Sequence, residues 1–256
     1  VILIKLFTYD EFVNEMEIGS QLFADPKDAN SVNFSSKDLE KLLKSAGMEI
    51  EANTADEKKF LDKLVQWTIS TQDVLETKDL EYLLSIKNKF PAILDPSYNG
   101  SKIAYRGTKI AVSKLAKLNF IKDGNNYIAQ NTSILEKTGK RGYSSFSTYN
   151  DISRQFIEEQ YYEPEEVGQL KQIPVMVTLQ TKNNDLLFNP DFTNLFSKQD
   201  NVEDEIFIVS PTYKPEQIIF YNPKEFKEVV EDYGLWEEFL EEISGAVELM
   251  QKINLL

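Results

Sequence analysis

Tyr143-Ser144-Ser145-Phe146-Ser147-Thr148-Tyr149-Asn150-Asp151-Ile152-Ser153-Arg154-Gln155-Phe156 changes its period midway. Up to Ser147 the residues alternate, with Ser145 and Ser147 on one side of an extended chain and Phe146 on the other. From about Asn150 to Tyr161 the pattern predicts a helix. A strand that runs through a tight turn into a helix is the joint around which the rest of the chain is read.

Outward from this joint lie short strand-like runs separated by turn signals. Ile103 to Arg106 is one, and Phe120-Ile121 and Tyr127 to Ala129 flank Asp123-Gly124-Asn125-Asn126, which has the composition of a hairpin turn. Pro174 to Gln180, Glu203 to Val209 and Gln217 to Tyr221 complete the set. The front of the chain reads differently. Ser35-Ser36 caps a segment with Leu39, Leu42, Leu43 and Ala46 on one face and Gly47 as its stop. Ala55 to Ser70 repeats the pattern with Phe60, Leu61, Leu64, Val65 and Thr68. A third helix begins at Thr77 with Leu80, Leu83 and Leu84 on one side. Phe90-Pro91, Asp95-Pro96 and Asn99-Gly100 then break the periodicity. After Pro223 the chain turns helical again, with Phe226, Val229, Val230 and Tyr233, then Leu235, Trp236, Phe239, Leu240 and Ile243. The expected fold class is α+β with a mixed β core. A helical subdomain occupies 1–100, the β core 101–222 and a helical tail 223–256.

Composition narrows the chemistry. The 256 residues are 41% hydrophobic and 12% aromatic with little Gly or Pro, which describes a packed globular chain. No apolar run approaches the roughly 18 residues of a membrane span. The opening Val1 to Phe7 reads as structure, for it lacks a charged leader. The absence of cysteine rules out disulfides and thiolate chemistry. The absence of histidine removes Ser-His-Asp hydrolases, HExxH zinc enzymes and most transition-metal sites. Catalysis must therefore run on carboxylates, Lys, Tyr, Ser or an organic co-substrate. A formal charge of −14 repels nucleic-acid phosphates and anionic lipid, and suits basic protein partners or plain solubility.

Three strings carry chemistry. Arg106 ends a short apolar strand and precedes Gly107; a guanidinium forks onto phosphate oxygens, and a glycine lets a flat ligand approach the backbone. A surface arginine in a salt bridge would look the same. Ser145 and Ser147 share a strand face and suit a carboxylate or a ribose hydroxyl, although a serine before a helix is also an ordinary cap. Glu203 and Glu205 are two apart on a strand, side by side at the mouth of an apolar Ile-Phe-Ile-Val run. Paired carboxylates suit glycosidic cleavage, and they also suit a solvated strand end. Thr138-Gly139-Lys140-Arg141-Gly142 lacks the spacing of a phosphate-binding loop and reads as a basic turn. Tyr161-Tyr162-Glu163-Pro164-Glu165-Glu166 reads as an acidic loop.

In this order, over residues 102 to 210, the strings resemble the arginine–serine–glutamate class of mono-ADP-ribosyltransferases. This is the cholera-toxin-like branch, and the likeness is greatest to bacteriophage Mod- and Alt-type enzymes. The most specific stretch is Ser145 to Phe156, since in that family a Ser-x-Ser strand runs into a helix whose apolar Ile and Phe pack beneath the cleft. The lack of histidine agrees, for the diphtheria-like branch depends on one. The resemblance implies NAD as co-substrate and no metal. It implies that Arg106 binds the NAD phosphates, the Gly107 backbone holds the nicotinamide amide, and Ser145 fixes the nicotinamide ribose and the catalytic glutamate, with Ser147 supporting the strand. Glu205 would be the catalytic glutamate, and Glu203 would engage the acceptor, where a glutamate implies arginine on target proteins. Action in the cytoplasm of a host or target cell is implied too. Two positions depart from the family pattern. Phe146 replaces the middle Thr of Ser-Thr-Ser, and Asp200 stands where an aromatic three residues before Glu203 is usual, with Phe192 and Phe196 nearby. An NAD glycohydrolase, a transferase with a non-arginine acceptor and an inactive acidic interaction protein are the competing expectations.

Overall fold

The computed structural model describes residues 41, 43–44, 47–48, 52–69, 75–88, 90–130, 132–134, 136–137, 143–161, 172–190, 192, 205–210, 212–243 and 247–253. These fall into two compact units divided between Leu75 and Glu76. The sequence places a boundary near residue 100; the second unit instead takes in the helix from Thr77 and the Phe90–Gly100 turns. Those turns are tied to the sheet. Leu94 bridges Phe188, the Asp95 amide donates to the Leu187 carbonyl at 3.0 Å, and the Asn189 amide donates to the Ile93 carbonyl at 2.8 Å.

In the first unit, α1 spans Ala55–Ile69 and buries Phe60, Leu61 and Leu64 at the helical spacing expected of them. Thr54 and Glu57 make a reciprocal cap at its start. The Glu57 amide donates to the Thr54 hydroxyl at 3.2 Å, while the Glu57 carboxylate accepts from the Asn53 and Thr54 amides. Upstream, Gly47 has φ +75°, and the Met48 amide reaches back to the Leu43 carbonyl at 2.8 Å, so the expected glycine stop is present. The Ser35-Ser36 cap and Leu39, Leu42 and Ala46 lie outside the described residues.

The second unit starts with α2 (Thr77–Ile86), which buries Leu80 and Leu83. Among the described residues ten strands follow, interleaved with helices: β1 (Ile103–Ala111), α3 (Val112–Leu115), β2 (Phe120–Asp123), β3 (Asn126–Gln130), β4 (Glu136–Lys137), β5 (Tyr143–Ser147), α4 (Asn150–Tyr161), β6 (Gln172–Gln180), β7 (Leu186–Leu187), β8 (Glu205–Val209), β9 (Thr212–Tyr213) and β10 (Gln217–Phe220). The tail forms α5 (Pro223–Asp232), α6 (Trp236–Glu242) and α7 (Val247–Lys252). Eight strands form one sheet in the order β2-β3-β10-β6-β1-β5-β8-β7, and β4 pairs with β9 separately. Every pairing is antiparallel. The α+β class therefore stands, while the expected mixed sheet is corrected to an antiparallel one. A mixed sheet needs crossovers that return the chain parallel to a neighbour, and among the described residues none joins adjacent strands.

Local chemistry explains the joints. β2 and β3 close with Asp123 opposite Asn126, leaving Gly124-Asn125 as a two-residue loop. Gly124 takes φ +59° at the first loop position, the feature such hairpins require. β6 reads Gln172 to Gln180 and is apolar on both sides because it lies between β10 and β1, with both faces covered. The core gathers Ile173, Val175, Met176 and Val177 from β6, Ile206 and Ile208 from β8, and Phe226, Trp236 and Phe239 from the tail. Phe220, Phe226 and Phe239 step through it edge to face, with centroids 5.6 and 5.5 Å apart. Among the described residues no helix is long and apolar enough to cross a membrane.

Candidate functional site

Where β1 meets β5, the sheet comes apart. β1 pairs with β6 over all nine of its residues, yet with β5 at one position, Tyr105 opposite Ser147. Past that point Arg106 and Gly107 on one strand separate from Phe146 and Ser145 on the other. The opening is a cavity of about 240 Å³ lined by Tyr105, Arg106, Gly107, Ser145, Phe146, Ser147, Ile152, Ser153, Phe156 and Glu205. Arg106, Ser145 and Glu205, from three separate strings, thus meet at one fork.

The register assigns faces. Ser147 lies opposite Glu205, and Ser145 opposite Phe207, so Ser145, Ser147 and Glu205 share a face with Tyr105. On that face the Ser145 hydroxyl donates to Oε1 of Glu205, diagonally across the ladder. Arg106 and Phe146 alternate to the other face, where the guanidinium carbon stands 5.8 Å from the Phe146 ring centroid. Nη1 of Arg106 donates to the Ser145 carbonyl at 2.6 Å, spanning the gap the missing ladder bonds leave. The arginine thus pins β5 and borders the cavity at once. Beneath it, Tyr213 meets Phe146 edge to face at 5.2 Å. Burial raises the Tyr213 phenol to about 12, against the opposing influence of the Arg106 charge.

Ser147 is buried and its hydroxyl accepts the Tyr149 amide at 3.0 Å, turning the chain from β5 into α4. That is the ordinary capping use of a serine before a helix. Gly107 is needed for packing: a Cβ there would lie 2.5 Å from the Ser153 carbonyl oxygen, 3.0 Å from the Phe156 Cβ and 3.1 Å from Ile157 Cγ1. The glycine lets α4 press directly onto β1 and so forms one wall of the cavity. Ile152 is buried, as expected of the apolar helix face. Phe156 is not beneath the cleft; it lines the cavity and is 46% exposed. Its position on α4 puts its Cβ over Gly107 and its ring outward.

Glu203, Phe196 and Asp200, the basic Thr138–Gly142 turn and the acidic stretch from Tyr162 lie outside the described residues. Phe192 is fully buried, so it does not stand at a cavity mouth. The alternation in the sequence does not reveal Tyr213 or Ser153 as neighbours of the site, because their approach depends on how β9 and α4 pack. Among the described residues no group of three or more acidic side chains is placed to hold a metal ion.

Chemically, the fork offers a cation on one side and a serine-buttressed carboxylate on the other, around a space below the 300–1,000 Å³ of sites that enclose a whole drug-sized ligand. It has room for one end of an extended ligand. No protein-family model matches the chain, and comparison with curated proteins and with solved structures finds no similar protein.

Proposed function

We propose that this chain is a protein mono-ADP-ribosyltransferase that moves ADP-ribose from NAD to arginine side chains of target proteins and releases nicotinamide. The observation that carries the reading is the Ser145 hydroxyl bound to the Glu205 carboxylate, in one cavity with Arg106. The donor set fits the group. Arg106 commits one N–H to the Ser145 carbonyl among the described residues, and its remaining guanidinium edge suits a phosphate oxygen. Ser145 orients the Glu205 carboxylate, the group that would accept from a ribose hydroxyl. Held there, the carboxylate stabilises positive charge as it grows at the anomeric carbon, in surroundings drier than bulk water. The bond from that carbon to the nicotinamide nitrogen breaks, and an acceptor nitrogen forms the new bond from the opposite side. Glu203, two residues before Glu205, is the group assigned to take the acceptor's proton.

The test is incubation of the protein with labelled NAD and a cytoplasmic extract, beside Glu205→Gln. Replacing the carboxylate by an amide removes charge where the transition state needs it and should slow nicotinamide release by about 10²–10³-fold. Label on discrete protein bands, lost in the variant and mapped to arginine by mass spectrometry, is the expected result. Nicotinamide release without protein label would make the chain a glycohydrolase. No NAD turnover and no NAD binding would leave an acidic interaction protein.

A further inference from the structure

We propose that Tyr213 is a positioning residue for Arg106: by locking the Phe146 ring it holds the guanidinium where one N–H bridges to β5 and the rest is left for a ligand anion. That this anion is the diphosphate of NAD rests on the transferase reading above; the hold on Arg106 does not. The contacts run from strand to strand. The guanidinium carbon of Arg106 on β1 stands 5.8 Å from the Phe146 ring centroid on β5, and its Nη1 donates to the Ser145 carbonyl at 2.6 Å. Tyr213 on β9 meets the Phe146 ring edge to face, with centroids 5.2 Å apart and planes at 88°. Glu136 on β4 lies opposite Tyr213 in the β4–β9 ladder, so the two share a face. Glu136 in turn pairs at 2.8 Å with Lys114 of α3, the helix that follows β1.

β9 is only two residues long, yet it is tied on both sides. The Ser210 hydroxyl donates to the Thr212 carbonyl at 2.7 Å, closing the turn out of β8. Past the strand, the buried Thr132 hydroxyl donates to the Pro215 carbonyl at 2.6 Å. Tyr213 can therefore serve as a fixed wall. A cation is drawn to the face of an aromatic ring and not to its edge, so the attraction lasts only while the ring is kept from turning. The edge-to-face contact supplies that restraint. Tyr213 does this without competing for the cation, because burial lifts its phenol to about 12 and it stays neutral. The charged groups acting on it are Arg106 and Glu136, and Glu136 is committed to Lys114. The guanidinium is thus steadied by rings and a carbonyl, and its positive charge is kept for whatever enters the cavity.

The arginines of the chain are Arg106, Arg141 and Arg154, so the guanidinium signals of the full chain labelled with heavy-nitrogen arginine are few, and Arg106→Lys assigns one set. Rotation of the Arg106 guanidinium about its Nε–Cζ bond is read from their line shapes with no ligand added. Wild type is compared with Tyr213→Phe, which keeps the ring, Tyr213→Met, which keeps apolar bulk without one, and Phe146→Leu. Arg154 is the internal reference, and a thermal melt accompanies each variant. Rotation should stay within about twofold of wild type in Tyr213→Phe and quicken about fivefold or more in Tyr213→Met and in Phe146→Leu, with Arg154 constant. Adding Tyr213→Met to Phe146→Leu should quicken it no further, because the tyrosine acts through that ring. In nicotinamide release, Tyr213→Met should raise KM for NAD about fivefold or more with kcat within about twofold. Unchanged Arg106 rotation in either Tyr213→Met or Phe146→Leu overturns the proposal, even where the melting temperature falls. So does full additivity of the two substitutions, or an equal effect in Tyr213→Phe. Absence of NAD turnover by wild type sinks the transferase reading, while the rotation rates still decide whether Tyr213 holds Arg106.

Discussion

Gly107→Ala separates two reasons for a glycine beside Arg106. The residue has no positive φ, so an alanine there meets no backbone strain, and the whole effect is steric. The added methyl would lie 2.5 Å from the Ser153 carbonyl oxygen, where ordinary contact begins at 3.4 Å. To restore contact, α4 must rise from β1 by about 0.9 Å at that point. The obstacle is helix backbone, so no side-chain rotation relieves it. Overpacking of this kind costs about 1–3 kcal/mol. For a unit of this size each kcal/mol moves the melting temperature by about 2–4 °C, so a fall of roughly 2–12 °C is expected. The same displacement moves Ser153 and Phe156, which form the cavity wall, and a shift near 1 Å in a reacting geometry costs up to about 10²-fold in rate. Thermal denaturation followed by circular dichroism, with nicotinamide release measured on the same samples, reads both effects. An unchanged melting temperature would refute the packing argument. If NAD affinity fell all the same, the glycine would be serving the ligand directly.

Gly100→Ala should be more damaging than Gly107→Ala. It combines φ +79° with a Cβ 2.2 Å from the Lys182 carbonyl carbon, and urea titration should show a loss above about 3 kcal/mol. Asp185 is buried and accepts the Lys182 amide at 2.6 Å and the Val209 amide at 3.2 Å; Asp185→Ala strands both donors and should cost about 2–4 kcal/mol in the same titration. Tyr213 should titrate at about 12 by phenolate absorbance, against about 10 for a free phenol. Because its folded pKa is the higher one, its neutral form is favoured by folding. That stabilisation is fully present below pH about 10 and is lost as pH rises toward 12, and Tyr213→Phe should remove this share of the alkaline sensitivity.

Much of the fold is written locally, and that part was legible. α1 and α2 bury Phe60, Leu61, Leu64, Leu80 and Leu83, all among the residues their periodicity selects, while Leu84 is only half-buried, and α4 begins at Asn150 where the alternation of β5 stops. Gly47 and Gly124 stand where a left-handed turn requires them. Strand direction was not legible. Whether a neighbour runs parallel or antiparallel depends on which strands pair across long intervals of chain, as Tyr105 does with Ser147 and Tyr127 with Phe220, and alternation within one strand is the same either way. The division between Leu75 and Glu76 is not legible for a related reason. The Pro- and Gly-rich run from Phe90 to Gly100 carries every local sign of a linker, yet its backbone pairs with β7 and the residues after it. At the site, the shared face of Ser145 and Ser147 follows from period two alone. The meeting of Ser145 with Glu205 depends on a register that places Glu205 opposite Ser147, and periodicity carries no register information.

The fork also explains how groups from opposite faces of one sheet can act on one ligand. In an unbroken antiparallel ladder Arg106 and Glu205 would be divided by the sheet itself, the arginine with Phe146 and the glutamate with Ser145. Ending the β1–β5 ladder after Tyr105 and Ser147 opens the sheet between them, so both side chains border the same space. Something must then hold the two strands at a fixed separation, because the ladder no longer does. The Arg106 hydrogen bond to the Ser145 carbonyl does so from below, and α4 seated on Gly107 does so from above. On this account Arg106→Lys fails twice: a lysine has no planar fork to bridge a backbone carbonyl and a ligand anion together, and it stacks less well on Phe146. Its loss should appear as weaker NAD binding together with a lower melting temperature, whereas Glu205→Gln should slow turnover with the melt nearly unchanged. Arg106→Lys and Glu205→Gln variants that behaved alike in both assays would mean that the opening is not held by the arginine.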